Sequence, residues 1–206
     1  MKILLASKNR GKVQELQELL ADEEIEVLSI LDLPAWEEVE ETGDTFAANA
    51  VQKARVAAAR TGLISLADDS GLEVDALNGA PGVRSARFAG EPSDDARNNE
   101  KLLELLADVP DEARTGRFRC ALALVTPKGE EYLTEGAVEG KIMRQGRGIR
   151  GFGYDPLFFI PEIGRTMAEL STAQKNKLSH RAQAFRKAVP ILKELKRRVE
   201  SEEKQP

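Results

Sequence analysis

The sequence predicts an α/β protein built on a mixed β-sheet. Apolar runs of strand length alternate with segments of helical period early in the chain, and two long strand-like segments then follow one another around a tight turn. The 206 residues suffice to bury one sizeable core. Taken in order, "KILLA" (2–6) is a buried strand, too short and too quickly followed by charge to be a signal segment. "KVQELQELLA" (12–21) sets Val13, Leu16, Leu19 and Leu20 at helical spacing, and "IEVLSI" (25–30) is a second strand. The acidic stretch 37–44 is a loop, with Asp44 as N-cap of an alanine-rich helix over 45–62 that Gly62 stops. "ISLA" is a strand that ends in Asp68 and Asp69 beside a turn, and "LEVDAL" (72–77) is a separate short strand. A glycine-rich loop over 78–90 leads into a helix over 93–109 capped by Ser93. Residues 116–127 and 131–143 are consecutive strands joined by "PKGE". A second glycine-rich loop (146–156) precedes the short strand "LFFIP". A helix over 179–199 follows, which Pro190 should kink or interrupt, and residues 200–206 should fray. Residues 1–199 read as one domain.

Composition narrows the chemistry. With 41% hydrophobic and 32% charged residues the chain reads as an ordinary soluble protein, no apolar run approaches the ~20 residues of a membrane span, and a cytoplasmic location is expected. The single cysteine, Cys120, lies in the apolar run "CALALV" and reads as a buried thiol; one cysteine forms no internal disulfide. With one cysteine and one histidine, a metal site must rest mainly on carboxylates, which favours Mg²⁺ or Mn²⁺. A net charge of −5 argues against nonspecific binding of nucleic acid but leaves room for a small anionic ligand.

Six segments could carry chemistry. The turn "SKNRGK" lies between a strand and a helix, where backbone N–H groups and the helix dipole attract anions. Ser7, Asn9 and Lys12 add donors and Gly11 permits close approach; the segment is not a Walker A loop, and an ordinary capped turn is the alternative. Asn49 and Lys53 share a helix face opposite the small residues Ala50, Ala54, Ala57 and Ala58, so Lys53 can meet phosphate or simply face solvent. Asp68 and Asp69 raise one another's pKa unless a cation or donor intervenes. A divalent ion resolves that conflict, and one carboxylate could then activate water; an Asx turn is the alternative. The acidic loop, with Glu37, Glu38, Glu40 and Glu41, could add a ligand. In "GFGYDP", Phe152 or Tyr154 could stack on a planar ligand whose edge meets Asp155, or both rings could be core anchors. "KNKLSHR" gathers Lys175, Lys177, His180 and Arg181 around a helix start. Together these describe a site for a nucleotide and a metal.

The blocks "SKNRGK", "EETGDTFAANAVQKA", "ADDSGL", "GAPGVRSARFAG", "GFGYDP" and "LSHR", in this order from residue 3 to about 186, resemble the XTP/dITP pyrophosphatases, the inosine triphosphatase-like enzymes. The resemblance implies a Mg²⁺-dependent enzyme, with Mn²⁺ as a substitute. It would cleave the α–β phosphoanhydride of ITP, dITP or XTP to monophosphate and pyrophosphate, with no nucleic-acid or membrane partner. It also implies two α/β lobes around a long mixed sheet with the site in the cleft between them, and a homodimer. By the same resemblance Ser7, Lys8, Asn9, Arg10, Gly11 and Lys12 bind triphosphate and Lys53 contacts phosphate. Asp69 is general base and metal ligand beside Asp68, and Ser70 touches substrate. Phe152, Gly153, Tyr154 and Asp155 recognise the base, and Lys175, His180 and Arg181 meet the purine edge or ribose. The second metal ligand is Glu40 or Glu41, ahead of Glu38. Two residues depart from the family pattern: Ala48 stands where many relatives carry glutamate, and Arg150 where many carry glycine. Two other readings are a septum-formation-inhibitor-type pyrophosphatase for pyrimidine or modified nucleotides and a noncatalytic nucleotide sensor.

Overall fold

The computed structural model describes residues 1–33, 36–37 and 39–202; Glu38 and residues 203–206 of the expected frayed tail lie outside the described residues. β1 (Lys2–Leu5), α1 (Arg10–Leu19), β2 (Glu26–Ser29), α2 (Phe46–Thr61) and β3 (Ile64–Val74) form two successive βαβ units. α3 (Asp95–Leu105), β4 (Thr115–Val125), β5 (Glu131–Ile142), β6 (Phe158–Ile160), β7 (Arg165–Thr166), α4 (Thr172–Leu178) and α5 (His180–Glu202) follow. The seven strands make one mixed sheet in the order β2-β1-β3-β4-β5-β6-β7. β1 is parallel to β2 and β3, while β6 is antiparallel to β5 and β7. No helix among the described residues is long and apolar enough to cross a membrane.

By contacts the chain divides into two compact units. The first holds Met1–Asp69, Ala121–Glu135 and the chain from Arg181; the second holds Ser70–Cys120 and Gly136–His180. In the first unit β1 is fully buried at Ile3, Leu4 and Leu5, as a strand covered on both faces must be. The chain moves from β1 to β2 on one side and from β2 back past β1 to β3 on the other, so right-handed crossovers put α1 and α2 on opposite faces of these strands. α2 packs its small residues Ala50, Ala54, Ala57 and Ala58 inward and ends at Gly62, whose φ of 66° is the left-handed cap that glycine tolerates. In the second unit a core of Leu72, Leu102, Leu106, Phe118, Ile142, Tyr154 and Phe158 lies under α3. The buried Arg114 guanidinium donates to the carbonyls of Leu106 (2.5 Å) and Ile142 (2.8 Å), closing the C-terminal end of α3. Cys120 is buried, as its apolar run requires.

Several expectations need correction. "ISLA" and "LEVDAL" are not two strands around a turn: β3 runs unbroken from Ile64 to Val74, so Asp68 and Asp69 lie inside a strand. Their charges are met by side chains from flanking helices, which removes the need for a solvated turn. The N-cap of α2 is Thr45, which accepts from the Ala48 N–H, not Asp44; that of α3 is Asp94, not Ser93, whose hydroxyl donates to the Ala86 carbonyl. Pro190 does not interrupt α5, because it sits on the exposed side where solvent can replace the missing N–H. α5 also continues to Glu202, so residues 200–202 are helical rather than frayed.

Candidate active site

β1 pairs with β3 only as far as Leu5 opposite Leu66. Asp68 and Asp69 therefore emerge on β3 just where its neighbour β1 ends and the turn 7–12 begins. That is the carboxyl edge of a parallel sheet, where α/β proteins collect ligands. The turn is built by its own polar groups. Ser7 Oγ accepts from the Asn9 N–H (3.1 Å), and Asn9 Oδ1 caps α1 by accepting from the Gly11 (2.9 Å) and Lys12 (3.3 Å) N–H groups. Lys8, Arg10 and Gly11 are exposed.

Successive residues of a strand face opposite sides, and the two aspartates find different partners accordingly. Asp68, buried to 3% exposure, takes Lys12 Nζ of α1 at 2.7 Å and Arg181 Nε of α5 at 3.5 Å on its Oδ2. Arg181 also faces the buried Glu15 of α1 at 3.6 Å. Burial alone would raise the pKa of Asp68, but Lys12, Arg181 and Lys53 outweigh it and hold the carboxyl well below the usual range. Asp68 is thus a strut held in its ionised form between two cations.

Asp69 faces α2. Asn49 Nδ2 donates to its Oδ2 at 2.9 Å, and Lys53 Nζ lies 4.0 Å from its Oδ1. Asn49 and Lys53, four apart on one helix face, thus meet the same carboxylate. Asn49 Oδ1 also accepts the Gly43 N–H (2.7 Å), and Lys53 Nζ reaches Glu41 at 2.6 Å, so one helix braces both Asp69 and the acidic loop. A Cβ at Gly43 would stand 2.7 Å from Asn49 Oδ1, so the close approach of the loop requires glycine there. Burial pushes the pKa of Asp69 up, helped by Glu41 and Asp68 against Lys53 and Asn49, and the net shift is upward. Lys53 is raised as well: burial would lower it, but Asp69, Asp68 and Glu41 together raise it, so it stays cationic. Of the acidic-loop alternatives, Glu41 is the one placed at this group; Glu40 is exposed. Ala48, the first departure from the family pattern, is exposed in the first turn of α2.

The second unit holds the other candidates. Asp155 Oδ2 accepts from the Phe152 N–H (3.1 Å) and pairs with Lys175 Nζ of α4. Gly151 has φ of 84°, and a Cβ there would strike Asp155 Oδ2 and stand 2.5 Å from Lys175 Nζ. Gly151→Ala is therefore expected to lower the thermal melting point by several degrees, about 1–3 kcal/mol, through strain and a displaced ion pair; an unchanged melting curve would contradict that geometry. The two candidate stacking rings have separate fates. Phe152 is 55% exposed with Lys175 Nζ 5.9 Å from its ring centre. Tyr154 is buried in the core and its hydroxyl donates to the Ser85 carbonyl at 2.8 Å, with its pKa pushed up by burial and by Asp95. Gly153 is held from α3: its N–H donates to Asp95 Oδ2 (2.7 Å) and its carbonyl accepts from Asn99 Nδ2 (2.8 Å). His180 is buried with its ring stacked on Phe118, centroids 5.1 Å apart. Ser70 is half-buried in β3, and Arg150, the second departure, is exposed with its N–H on the Ala168 carbonyl.

Sequence reasoning left Glu15, Asp95 and Asn99 unassigned. Glu15 carried a signal, a carboxylate beside Leu16 on the buried side of an amphipathic helix. Asp95 and Asn99 also did, as polar residues four apart on one face of α3. Among the described residues, no group of three carboxylate, histidine or cysteine side chains gathers as a ready-made metal cage. Asp69 and Glu41 instead form a two-carboxylate set around Lys53. That set suits an ion such as Mg²⁺, which takes one or two protein carboxylates and completes its shell with water and substrate phosphates.

Residues 3–191 match the family model described as the Ham1 family. A dITP/XTP pyrophosphatase of Desulforamulus reducens is 56% identical over 195 residues, 95% of this chain and 97% of that protein. A dITP/XTP pyrophosphatase of Exiguobacterium sibiricum is 54% identical over 187 residues, 91% of this chain and 94% of that one. The structure of a HAM1 protein from Coxiella burnetii matches with a TM-score of 0.88 at 45% identity, covering 94% of this chain and 99% of that one.

Proposed function

Because the chain belongs to the Ham1 family, we propose that it is a nucleoside triphosphate pyrophosphohydrolase that cleaves the α–β phosphoanhydride of deaminated purine nucleotides such as dITP, ITP and XTP. The observation that carries this reading is Asp69: a buried carboxylate of raised pKa, oriented by Asn49 and facing a lysine that stays charged. Asp69 takes the proton from the attacking water at Oδ1 while Asn49 fixes Oδ2, which is general-base catalysis by a positioned group. Lys12 and Lys53 offset the charge of the phosphates, and the turn from Ser7 to Lys12 receives them at the start of α1. Asp69 and Glu41 would hold Mg²⁺, or Mn²⁺ in its place. When bound, the ion supplies charge neutralisation on phosphate oxygens and acidifies water.

Within the second unit, Phe152, Asp155 and Lys175 are the groups suited to a planar base. Lys175 carries donors and no acceptor, so it suits a 6-oxo purine. A 6-amino group at that place would set donor against donor, and an unmet buried group costs enough to reject adenine. The same reading includes a homodimer acting on the cytoplasmic nucleotide pool. A substrate panel checks the reading: ITP, dITP and XTP are expected to turn over about 10²-fold faster in kcat/KM than ATP, dUTP and dTTP. Preference for the pyrimidine nucleotides would overturn the purine assignment.

A further inference from the structure

α3 grips both backbone groups of one residue. The Gly153 N–H donates to Asp95 Oδ2 at 2.7 Å and the Gly153 carbonyl accepts from Asn99 Nδ2 at 2.8 Å. Asn99 Nδ2 also donates to the Asp95 carbonyl at 2.7 Å, so the amide is tied to its own helix and to the loop at once. Its Oδ1 is buried and meets no donor among the described residues, so all of its bonding goes through the NH₂ group to these two carbonyls. The preceding residue is pinned as well: the Phe152 N–H donates to Asp155 Oδ2 and the Phe152 carbonyl accepts from the Asp155 N–H. α3 is itself anchored, by Arg114 on the Leu106 carbonyl and by Asn98, which bonds the Ala89 N–H and the Ala86 carbonyl. The result is a turn whose backbone is bonded at both groups of Phe152 and of Gly153, beneath a ring that is 55% exposed. An exposed ring on a turn held at these two residues is a pre-organised stacking face, because less backbone ordering entropy remains to be lost when a planar ligand binds.

Resting on the proposed nucleotide reading, we propose that Asp95 and Asn99 are positioning residues for base recognition: they act through Gly153 to hold Phe152 in its ligand-ready orientation. Neither residue need touch the nucleotide. The consequence is a selective defect. Losing the clamp weakens binding of base-bearing substrates and leaves Lys12, Lys53 and Asp69 as they are.

The chemistry of the clamp selects the variants. Asn99→Asp puts carboxylate oxygens against two carbonyl oxygens and breaks the grip at nearly constant volume. Asp95→Ala removes the acceptor at an exposed position, where folding is least at risk. Asp95→Asn keeps an oxygen for the Gly153 N–H. With ITP, Asn99→Asp and Asp95→Ala are expected to raise KM about tenfold, with kcat changed far less, while Asp95→Asn stays near wild type. The inhibition constant of inorganic tripolyphosphate, a ligand with phosphates and no base, is expected to be unchanged in all three. In a Phe152→Ala background, Asn99→Asp is expected to add little, since both act on the same contact. A parallel weakening of tripolyphosphate, or full additivity with Phe152→Ala, overturns the positioning role. If Phe152→Ala raises KM for ITP and neither clamp variant does, the clamp inference fails alone. If Phe152→Ala leaves KM for ITP unchanged, the base assignment fails and takes the clamp with it.

Discussion

Asp69→Asn is expected to lower kcat about 10²–10⁴-fold, the range lost when a positioned general base is removed, while the protein still folds. Folding should survive because the substituted amide can still present an oxygen to Asn49 Nδ2, which now donates to Asp69 Oδ2. The sign of the pKa shift supports this. Burial raises Asp69, so the fold disfavours its ionised form and a neutral isostere removes an electrostatic cost instead of adding one. The same shift fixes the pH dependence. Below its folded pKa Asp69 is protonated and cannot accept a proton. Because that pKa lies above the ordinary aspartate value, the acid limb of kcat/KM should begin at higher pH than an unshifted aspartate would give. A variant with near wild-type turnover would remove the base role from Asp69.

Asp68→Asn should give the largest loss of stability, about 3–5 kcal/mol, the usual cost of removing one partner from a buried ion pair. The Asp68 carboxylate is enclosed with Lys12 at 2.7 Å and Arg181 at 3.5 Å, and without it both cations face a neutral amide, with Glu15 left as the counter-charge near Arg181. Linkage makes a second, independent check. The folded pKa of Asp68 is depressed, so its contribution is fully present above the unfolded value of about 3.9 and is lost as pH falls toward the folded value. Denaturant titrations of the wild type should therefore show stability falling with pH below about 4, and Asp68→Asn should flatten that dependence. A difference below about 1 kcal/mol at neutral pH would mean that the pair is not the strut its burial indicates.

The two neighbouring aspartates show what a sequence can and cannot convey. Their type, and the lack of histidine and cysteine clusters, point to a site resting on carboxylates. Their division of labour could not be read, because it depends on which helix covers each face of β3, and that follows from the handedness of the two crossovers. The same limit applies to α2. The spacing of Asn49 and Lys53 placed them on one face, yet the shared target, Asp69, comes from the next strand. Periodicity found the long helices and the pair β4 and β5, where the pattern repeats many times. It missed the two-residue β7 and the seven-residue α4, which are too short to show a period, although the Ser171–Gln174 capping box marks the start of α4. That Pro190 would leave α5 uninterrupted was not legible, because a proline's tolerance depends on exposure, which a local window does not contain. Choosing between Phe152 and Tyr154 failed for the same reason: two aromatic residues in one glycine-rich loop look equivalent until one is found in the core. Glu41 was separable from Glu40 only through Lys53, twelve residues away.

Product analysis with ITP and Mg²⁺ is the decisive test of pyrophosphohydrolase activity. Inosine monophosphate and pyrophosphate are expected in equal amounts, with Asp69→Asn losing nearly all of that turnover. Release of inosine diphosphate and inorganic phosphate, or no turnover by the wild type, would contradict that activity.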